Sequence, residues 1–169
     1  IANDGMRFDN CFCTNSICAP SRATILTGTY NHVNGVLNLG VGMDNGLTTF
    51  PKLLQQQGYQ TAVFGKWHLG TGPGFCPAGF VDWAVLPGQG LYYNFDFIFK
   101  GPEGGTRRMV KGYVTDLITD MSLDWLKERD GSRPFCLLYH HKAPHRAWEP
   151  DDKHAHLYAN EHIPEPETL

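Results

Sequence analysis

"YVTDLITDMSLDWLKERDGSRPFCLLYHH", residues 113–141, is the stretch whose reading decides the fold class. Val114, Leu117, Ile118, Met121 and Trp125 recur at three- and four-residue spacing, which sets them on one helical face, and Gly131 marks the stop. The chain then passes into "PFCLLYHH", almost wholly apolar and without alternation, the pattern of a strand buried on both faces of a parallel sheet. Upstream, "TTFPKLLQQQG" (48–58) reads as a short helix with Thr48 or Thr49 as cap, Pro51 early and Gly58 as stop. "YQTAVFG" (59–65) follows as a short β-branched and aromatic strand. Residues 70–106 are rich in Gly and Pro with interspersed aromatics, and predict a long excursion with one strand near "YYNFDFIFK". Helix, strand, excursion, helix, strand is the order of an α/β fold with a mostly parallel central sheet flanked by helices.

Totals bound the function. The 169 residues suffice for one domain with a real core, and 41% hydrophobic against 18% charged residues indicates a globular chain. A formal net charge of −3 argues against a nucleic-acid surface, and no apolar run approaches a membrane span. Five cysteines (Cys11, Cys13, Cys18, Cys76 and Cys136) match no paired C-x-x-C zinc spacing, and the four besides Cys18 could pair or stay reduced. The first residue is Ile1, not an initiator methionine, so the expectation is a piece cut from a longer chain.

Working outward to the N-terminal side, "CAPSRATILTG" (18–28) has Pro20 suited to a first helical turn and Gly28 suited to a stop. This places Cys18 just ahead of a helix N-terminus, where backbone N–H groups and the helix dipole favour an anion. Arg22 follows one turn on. Open α/β sheets collect ligands beyond the carboxyl ends of their strands. "GKWHLG" begins where "YQTAVF" ends, and "HHKAPHRAWEP" begins where "PFCLLY" ends, so Lys66, His68 and His145 reach one rim. Together with Cys18 and Arg22 they describe a positively lined site for a tetrahedral oxyanion, holding one nucleophile.

Each residue also has a plainer reading. A cysteine before a helix is commonly a small buried hydrophobe, Lys66 could be a solvated lysine, and Trp67 a core anchor. His140 and His141 are expected to alternate across the strand end, and neither is assigned a role. His154, His156 and His162 sit in a polar tail. "MDNG" (43–46) is turn chemistry rather than a metal pair.

Taken together the motifs resemble the sulfatase family. Cys18, Pro20, Ser21, Arg22, Leu26, Thr27 and Gly28 match its first signature. Gly58, Tyr59, Thr61, Gly65, Lys66, Trp67 and His68 match its second, and "KAPHRAWEP" resembles its third block. All three stand in the family's order, and the resemblance covers essentially the whole chain.

The resemblance implies that Cys18 is converted to formylglycine by a dedicated modification system. The hydrated aldehyde would attack sulfur with one hydroxyl and release sulfate with the other, assisted by Ca²⁺. Cys18 would then be both nucleophile and metal ligand. Arg22 would orient the hydrate, Lys66 would contact the sulfate, His68 would act as base, and His145 would bind sulfate near the leaving oxygen.

The family's paired aspartates would precede residue 1, and its Asp-Asn pair and second lysine would follow residue 169. Residues 1–169 are therefore expected to be the central part of an N-terminal catalytic domain, alkaline-phosphatase-like, incomplete at both ends and inactive alone. The implied substrate is a sulfated carbohydrate, by similarity to bacterial glycan sulfatases such as N-acetylglucosamine-6-sulfatases, and the implied location is periplasmic, secreted or at the cell surface. Three other readings stand beside it. A sulfatase-like binding module without catalysis fits a chain lacking metal ligands. A phosphate-ester hydrolase of the same superfamily fits the tetrahedral site. A cysteine hydrolase using Cys18 and a histidine leaves Pro20-Ser21-Arg22 without a purpose.

Overall fold

The computed structural model describes residues 2–70, 72 and 74–168; Ile1, Thr71, Pro73 and Leu169 lie outside the described residues. In chain order the elements are α1 (Cys18–Thr27), α2 (Asn31–Asn34), α3 (Phe50–Gln56), β1 (Gln60–Lys66), β2 (Asp82–Leu86) and β3 (Tyr93–Phe99). A 3₁₀ turn (Pro102–Gly104), β4 (Thr106–Tyr113), α4 (Val114–Glu128) and β5 (Phe135–His140) complete them. The strands form one sheet in the order β4-β3-β2-β1-β5.

The fold is α/β, as expected, and its sheet is mixed. Strands β2 and β5 run parallel to β1, with Gly65 opposite both Val85 and His140. Strands β3 and β4 continue the sheet antiparallel. "DWAVL" (82–86), inside the 70–106 excursion, and "TRRMVKGY" (106–113), which begins at its last residue, are both strands that the sequence reading did not predict. Neither shows in a composition count, because Gly and Pro in the turns between them swamp the short apolar runs.

Two apolar clusters sandwich the sheet, and the period of a strand sorts them. Val63, Trp83 and Val85 face α1 and its neighbours with Ala19, Ala23, Leu26 and Trp67. Ala62, Phe64, Ala84 and Leu86 face α4 with Val114 and Ile118. Leu117, Met121 and Trp125 pack partly buried beside them, so the helical face read from residues 114–125 is the face that docks. Full burial of an Ile118-sized side chain contributes about 1.5–3 kcal/mol, and Ile118 is wholly buried.

Strand β1 is the buried one; β5 is not. Beyond Gln60, every residue of β1 is buried. By contrast β5 is half exposed, with Phe135 and Tyr139 open to solvent. Among the described residues it pairs only with β1.

Two smaller expectations also change. Helix α1 begins at Cys18 itself, with Ile17 as N-cap, so Cys18 is the first helical residue rather than the residue before the helix. Thr49 is the N-cap of α3, but its hydroxyl makes no capping bond and is buried without a partner. Gly28 does end α1, in the left-handed region (φ 67°), and its N–H donates to Thr24 O at 2.8 Å. "MDNG" is a turn: Gly46 N–H donates to Asp44 Oδ1 (2.8 Å).

Candidate active site

The carboxyl ends of β1, β2 and β5 lie side by side, and the N-terminus of α1 comes up against them. Ala19 and Ala23, both fully buried, let α1 approach the sheet closely. Asn31, buried, holds the helix there by donating to Pro20 O (2.8 Å) and Val36 O (3.0 Å). Cys18 therefore stands at the start of a ten-residue helix whose N-cap residue offers no side-chain acceptor. It lines a cavity of about 430 Å³ with Cys13, Ser21, Arg22, Lys66 and His140.

Arg22 is fixed by the strand ends. Its Nη1 donates to Lys66 O at 2.7 Å and lies 3.1 Å from His140 Nδ1. Burial lowers the Arg22 pKa, and the neighbouring Cys18 works the other way. The His140 Nδ1 also lies 3.2 Å from Lys66 O. Burial, then the Arg22 charge, pushes the His140 pKa down to about 4, against a smaller opposing effect of the Lys66 carbonyl. A neutral imidazole whose Nδ1 lone pair accepts from the guanidinium satisfies the Arg22 contact, and then Nδ1 has no proton to give to Lys66 O. Residue 140, to which sequence reasoning gives no role, is thus a support of Arg22, while His141 lies edge-on to the Tyr139 ring (4.2 Å).

Gly65 makes room for that convergence. Its φ is +102°, and a Cβ there would fall 2.0 Å from His140 O, so no other residue fits without moving the β1–β5 pair. One residue on, Lys66 is buried and its Nζ donates to Gln89 Oε1 at 2.6 Å. Burial lowers its pKa. The Cys18 side chain pulls back upward by charge and hydrogen bonding, and the charges of Arg22 and Lys142 add to the lowering.

His68 is held between Trp67 and Leu69, which are 2% and 1% exposed. It takes a left-handed backbone (φ 57°), a conformation a non-glycine residue adopts at a cost on the order of 1–3 kcal/mol and mainly at functional sites. Its Nδ1 is buried without a partner. Burial first, then the charges of Lys66, Arg22 and His145, lower its pKa. His68 lines a separate cleft of about 230 Å³ with Leu39–Gly42, Gly70 and Gly88, and neither it nor His145 is among the residues that line the cavity with Cys18. His145 is on a turn closed by its own N–H to Lys142 O (3.0 Å), and its Nδ1 is 2.8 Å from Arg146 O. With that proton given to the carbonyl, Nε2 is the atom left for a ligand.

Four residues went unassigned in the sequence and belong to the same neighbourhood: His140, Gln89, Tyr92 and Lys142. Lys142 is buried, donates to Gln89 O (3.3 Å) and lies 4.9 Å from the centre of the Tyr92 ring. The Tyr92 hydroxyl donates to His145 O. Its place just before Ala-Pro-His was the only signal for Lys142; Gln89 would have required reading "DWAVL" as a strand.

The electrostatics of the cluster are one-sided. Among the described residues no ion pair includes Arg22, Lys66 or Lys142. All three rest on neutral oxygens or an imidazole nitrogen. Buried cations without carboxylate partners favour binding of an anion. The same feature bears on the Ca²⁺ that the motif resemblance implies. Among the described residues no group of three or more His, Cys, Asp or Glu could hold a metal. The groups around Cys18 are cations, so this set does not by itself fit an ion that takes 6–8 oxygen ligands.

The comparisons with known proteins agree with the motifs. The sulfatase family model matches residues 1–167. An N-acetylglucosamine-6-O-sulfatase of Bacteroides thetaiotaomicron is 48% identical over 172 residues, covering all of this chain and 29% of the relative. An N-acetylglucosamine-6-sulfatase of Capra hircus is 31% identical, covering 97% of this chain and 32% of its own. The solved structure of BT4656 in complex with its substrate D-glucosamine-2-N,6-O-disulfate superposes with a TM-score of 0.85 at 47% identity, over 98% of this chain and 33% of that one. The chain thus spans about a third of the length of the relatives it matches. Motif order, fold and family model converge: the chain belongs to the sulfatase family.

Proposed function

We propose that the protein to which residues 1–169 belong hydrolyses sulfate esters on a sulfated glycan, with 6-sulfated glucosamine units as the first substrate class to test. The observation that carries this is the trio of buried Lys66, buried Lys142 and part-buried Arg22, none with a carboxylate partner, gathered where a helix N-terminus presents Cys18. Similarity to the two N-acetylglucosamine-6-sulfatases supports the substrate class. A periplasmic, secreted or surface location goes with a polymeric glycan substrate, and among the described residues no helix is long and apolar enough to cross a membrane.

In this reading Cys18 is converted to formylglycine by a dedicated modification system. The hydrated aldehyde supplies an oxygen nucleophile together with a second hydroxyl through which sulfate can leave. Arg22, immobilised by Lys66 O and His140, orients that group and offsets its charge. Lys66 and His145 bind the sulfate oxygens and stabilise charge that grows during transfer. His68, whose pKa is lowered by burial and the charges of Lys66, Arg22 and His145 in favour of the neutral ring, takes the proton from the nucleophile. A Ca²⁺ ion would have to take its carboxylate ligands from outside the described residues around Cys18, and would there supply positive charge toward the sulfate. Residues 1–169 expressed alone are accordingly expected to bind Ca²⁺ weakly and to be inactive.

The deciding experiment expresses the full-length protein with a formylglycine-generating system and measures release of sulfate from an aryl sulfate and from 6-sulfated N-acetylglucosamine. Peptide mass spectrometry follows Cys18 in parallel. Turnover together with replacement of the Cys18 sulfur by an aldehyde oxygen is expected. Faster release of phosphate from an aryl phosphate would shift the assignment to a phosphate-ester hydrolase, and conversion without any turnover would leave a binding module.

A further inference from the structure

Lys66 and His145 enter the site from different strand ends, and nothing in the signature motifs says what keeps them in register. The turn after β2, Pro87–Gly90, places Gln89 between the two. Gly90 N–H closes this turn on Pro87 O (3.2 Å), and Gly90 has φ 67° with Leu86 too close for a Cβ. Gln89 therefore projects from a fixed backbone. Its side-chain oxygen accepts from Lys66 Nζ (2.6 Å) and its main-chain oxygen from Lys142 Nζ (3.3 Å), so one residue serves two like-charged groups.

The chain of contacts continues. Lys142 lies against the Tyr92 ring, and the buried Tyr92 donates its hydroxyl to the carbonyl of His145. Two further tyrosines hold the following residues: Tyr113 donates to Glu149 O (3.0 Å) and Tyr93 to Pro150 O (3.1 Å). The segment carrying His145 is thus pinned by three hydroxyls, from Tyr92 just before β3 and from Tyr93 and Tyr113 at the open end of the β3–β4 hairpin.

We infer that Gln89 and Tyr92 are positioning residues for sulfate-ester hydrolysis, Gln89 acting through Lys66 and Tyr92 through His145, with Lys142 joining the two. The inference rests on the proposed function above. It gives the antiparallel hairpin a purpose: the hairpin buttresses the His145 turn from outside the parallel core.

The test uses the full-length, formylglycine-bearing protein and two near-isosteric substitutions. Gln89→Met removes the amide oxygen, and Tyr92→Phe removes only the hydroxyl. Each should lower kcat on an aryl sulfate about tenfold to a hundredfold, the scale of a lost hydrogen bond to a charged or charge-developing group, with KM changed about twofold at most. The decisive readout is coupling. Gln89→Met should have no further effect on Lys66→Ala, and Tyr92→Phe none on His145→Ala. Additive losses, or single variants with unchanged kcat, would overturn the inference while leaving the sulfate-ester reading intact. If Lys66→Ala and His145→Ala themselves turned over normally, that reading would fail first and this one with it.

Discussion

The sheet carries cations at two places, and they live under opposite conditions. On the β3–β4 hairpin Arg107 is exposed and pairs with Asp96 at 2.7 Å, while Arg108 lies 3.9 Å over the Phe99 ring. At the carboxyl ends of β1 and β5, Lys66 and Lys142 are buried and both donate to oxygens of Gln89, with no carboxylate partner among the described residues. An exposed cation is solvated whether or not its partner is present, so its pair contributes little. A buried cation without a counter-charge is costly to the fold and valuable to a ligand that supplies one. The difference marks where charge is carried at a cost to stability.

The comparison is broken or sharpened by substitution. The largest effect is expected at the nucleophile: Cys18→Ala in the full-length protein should remove turnover by a factor on the order of 10⁶, as loss of a nucleophile does elsewhere. Lys66→Ala, His68→Ala and His145→Ala should each cut it by about 10²–10³. His141→Ala should be nearly silent in the same aryl-sulfate assay. A His141 variant as damaged as the His145 one would mean that the wrong side of the β5 end has been taken as the site.

Next comes the packing that lets the cations meet. Gly65→Ala places a methyl group against His140 O in a backbone that disfavours it, and should destabilise the protein by on the order of 4 kcal/mol from strain and overpacking together. Chemical denaturation measures this. A variant of unchanged midpoint would show that β1 and β5 approach each other less closely than described.

The pH response separates the two regions further. His140 has a folded pKa of about 4 against an ordinary 6.5. Its folded pKa is depressed, so below pH 6.5 the unfolded chain binds a proton that the folded protein refuses. Stability is then lost as pH falls from 6.5 toward 4, and the loss levels off below. The full effect is about 3 kcal/mol. His140→Gln should flatten that part of the stability curve relative to the unaltered protein; parallel curves would show that His140 is not buried beside Arg22.

The smallest effect is expected on the hairpin. Arg107→Ala should change stability by less than about 1 kcal/mol and leave aryl-sulfate turnover unaltered, because the pair it breaks is in water. A large loss of activity would give the exposed cations a share in substrate binding and dissolve the contrast.

What could be read in advance follows the same division. Local signals were sufficient where one segment carries its own evidence: the spacing of Val114 to Trp125, the Gly28 stop, and the three signature blocks that point to the family. Legibility ended where a residue's role depends on a remote partner. Gln89 is an ordinary turn residue until β2 is seen to end beside β1. His140 is a strand-end histidine until Arg22 arrives from α1. The run in β5 carries the hydrophobicity of a buried strand, and among the described residues it pairs only with β1 and is half exposed, because hydrophobicity records what a face can bury and not what covers it.

The parallel pairing of β1 with β5 has a kinetic consequence. The contact between Lys66 and His140 spans 74 positions of chain, so the Arg22 pocket cannot exist until this long-range pair has closed. Parallel, non-local pairing is slow, since loop-closure entropy is lost before contacts repay it. The α1–α2 unit and the β3–β4 hairpin are local and form without that delay. Refolding followed by pulsed hydrogen exchange should therefore protect the hairpin amides before those of β5. The nascent protein would pass through a stage in which its helices and hairpin are built and its anion pocket is not.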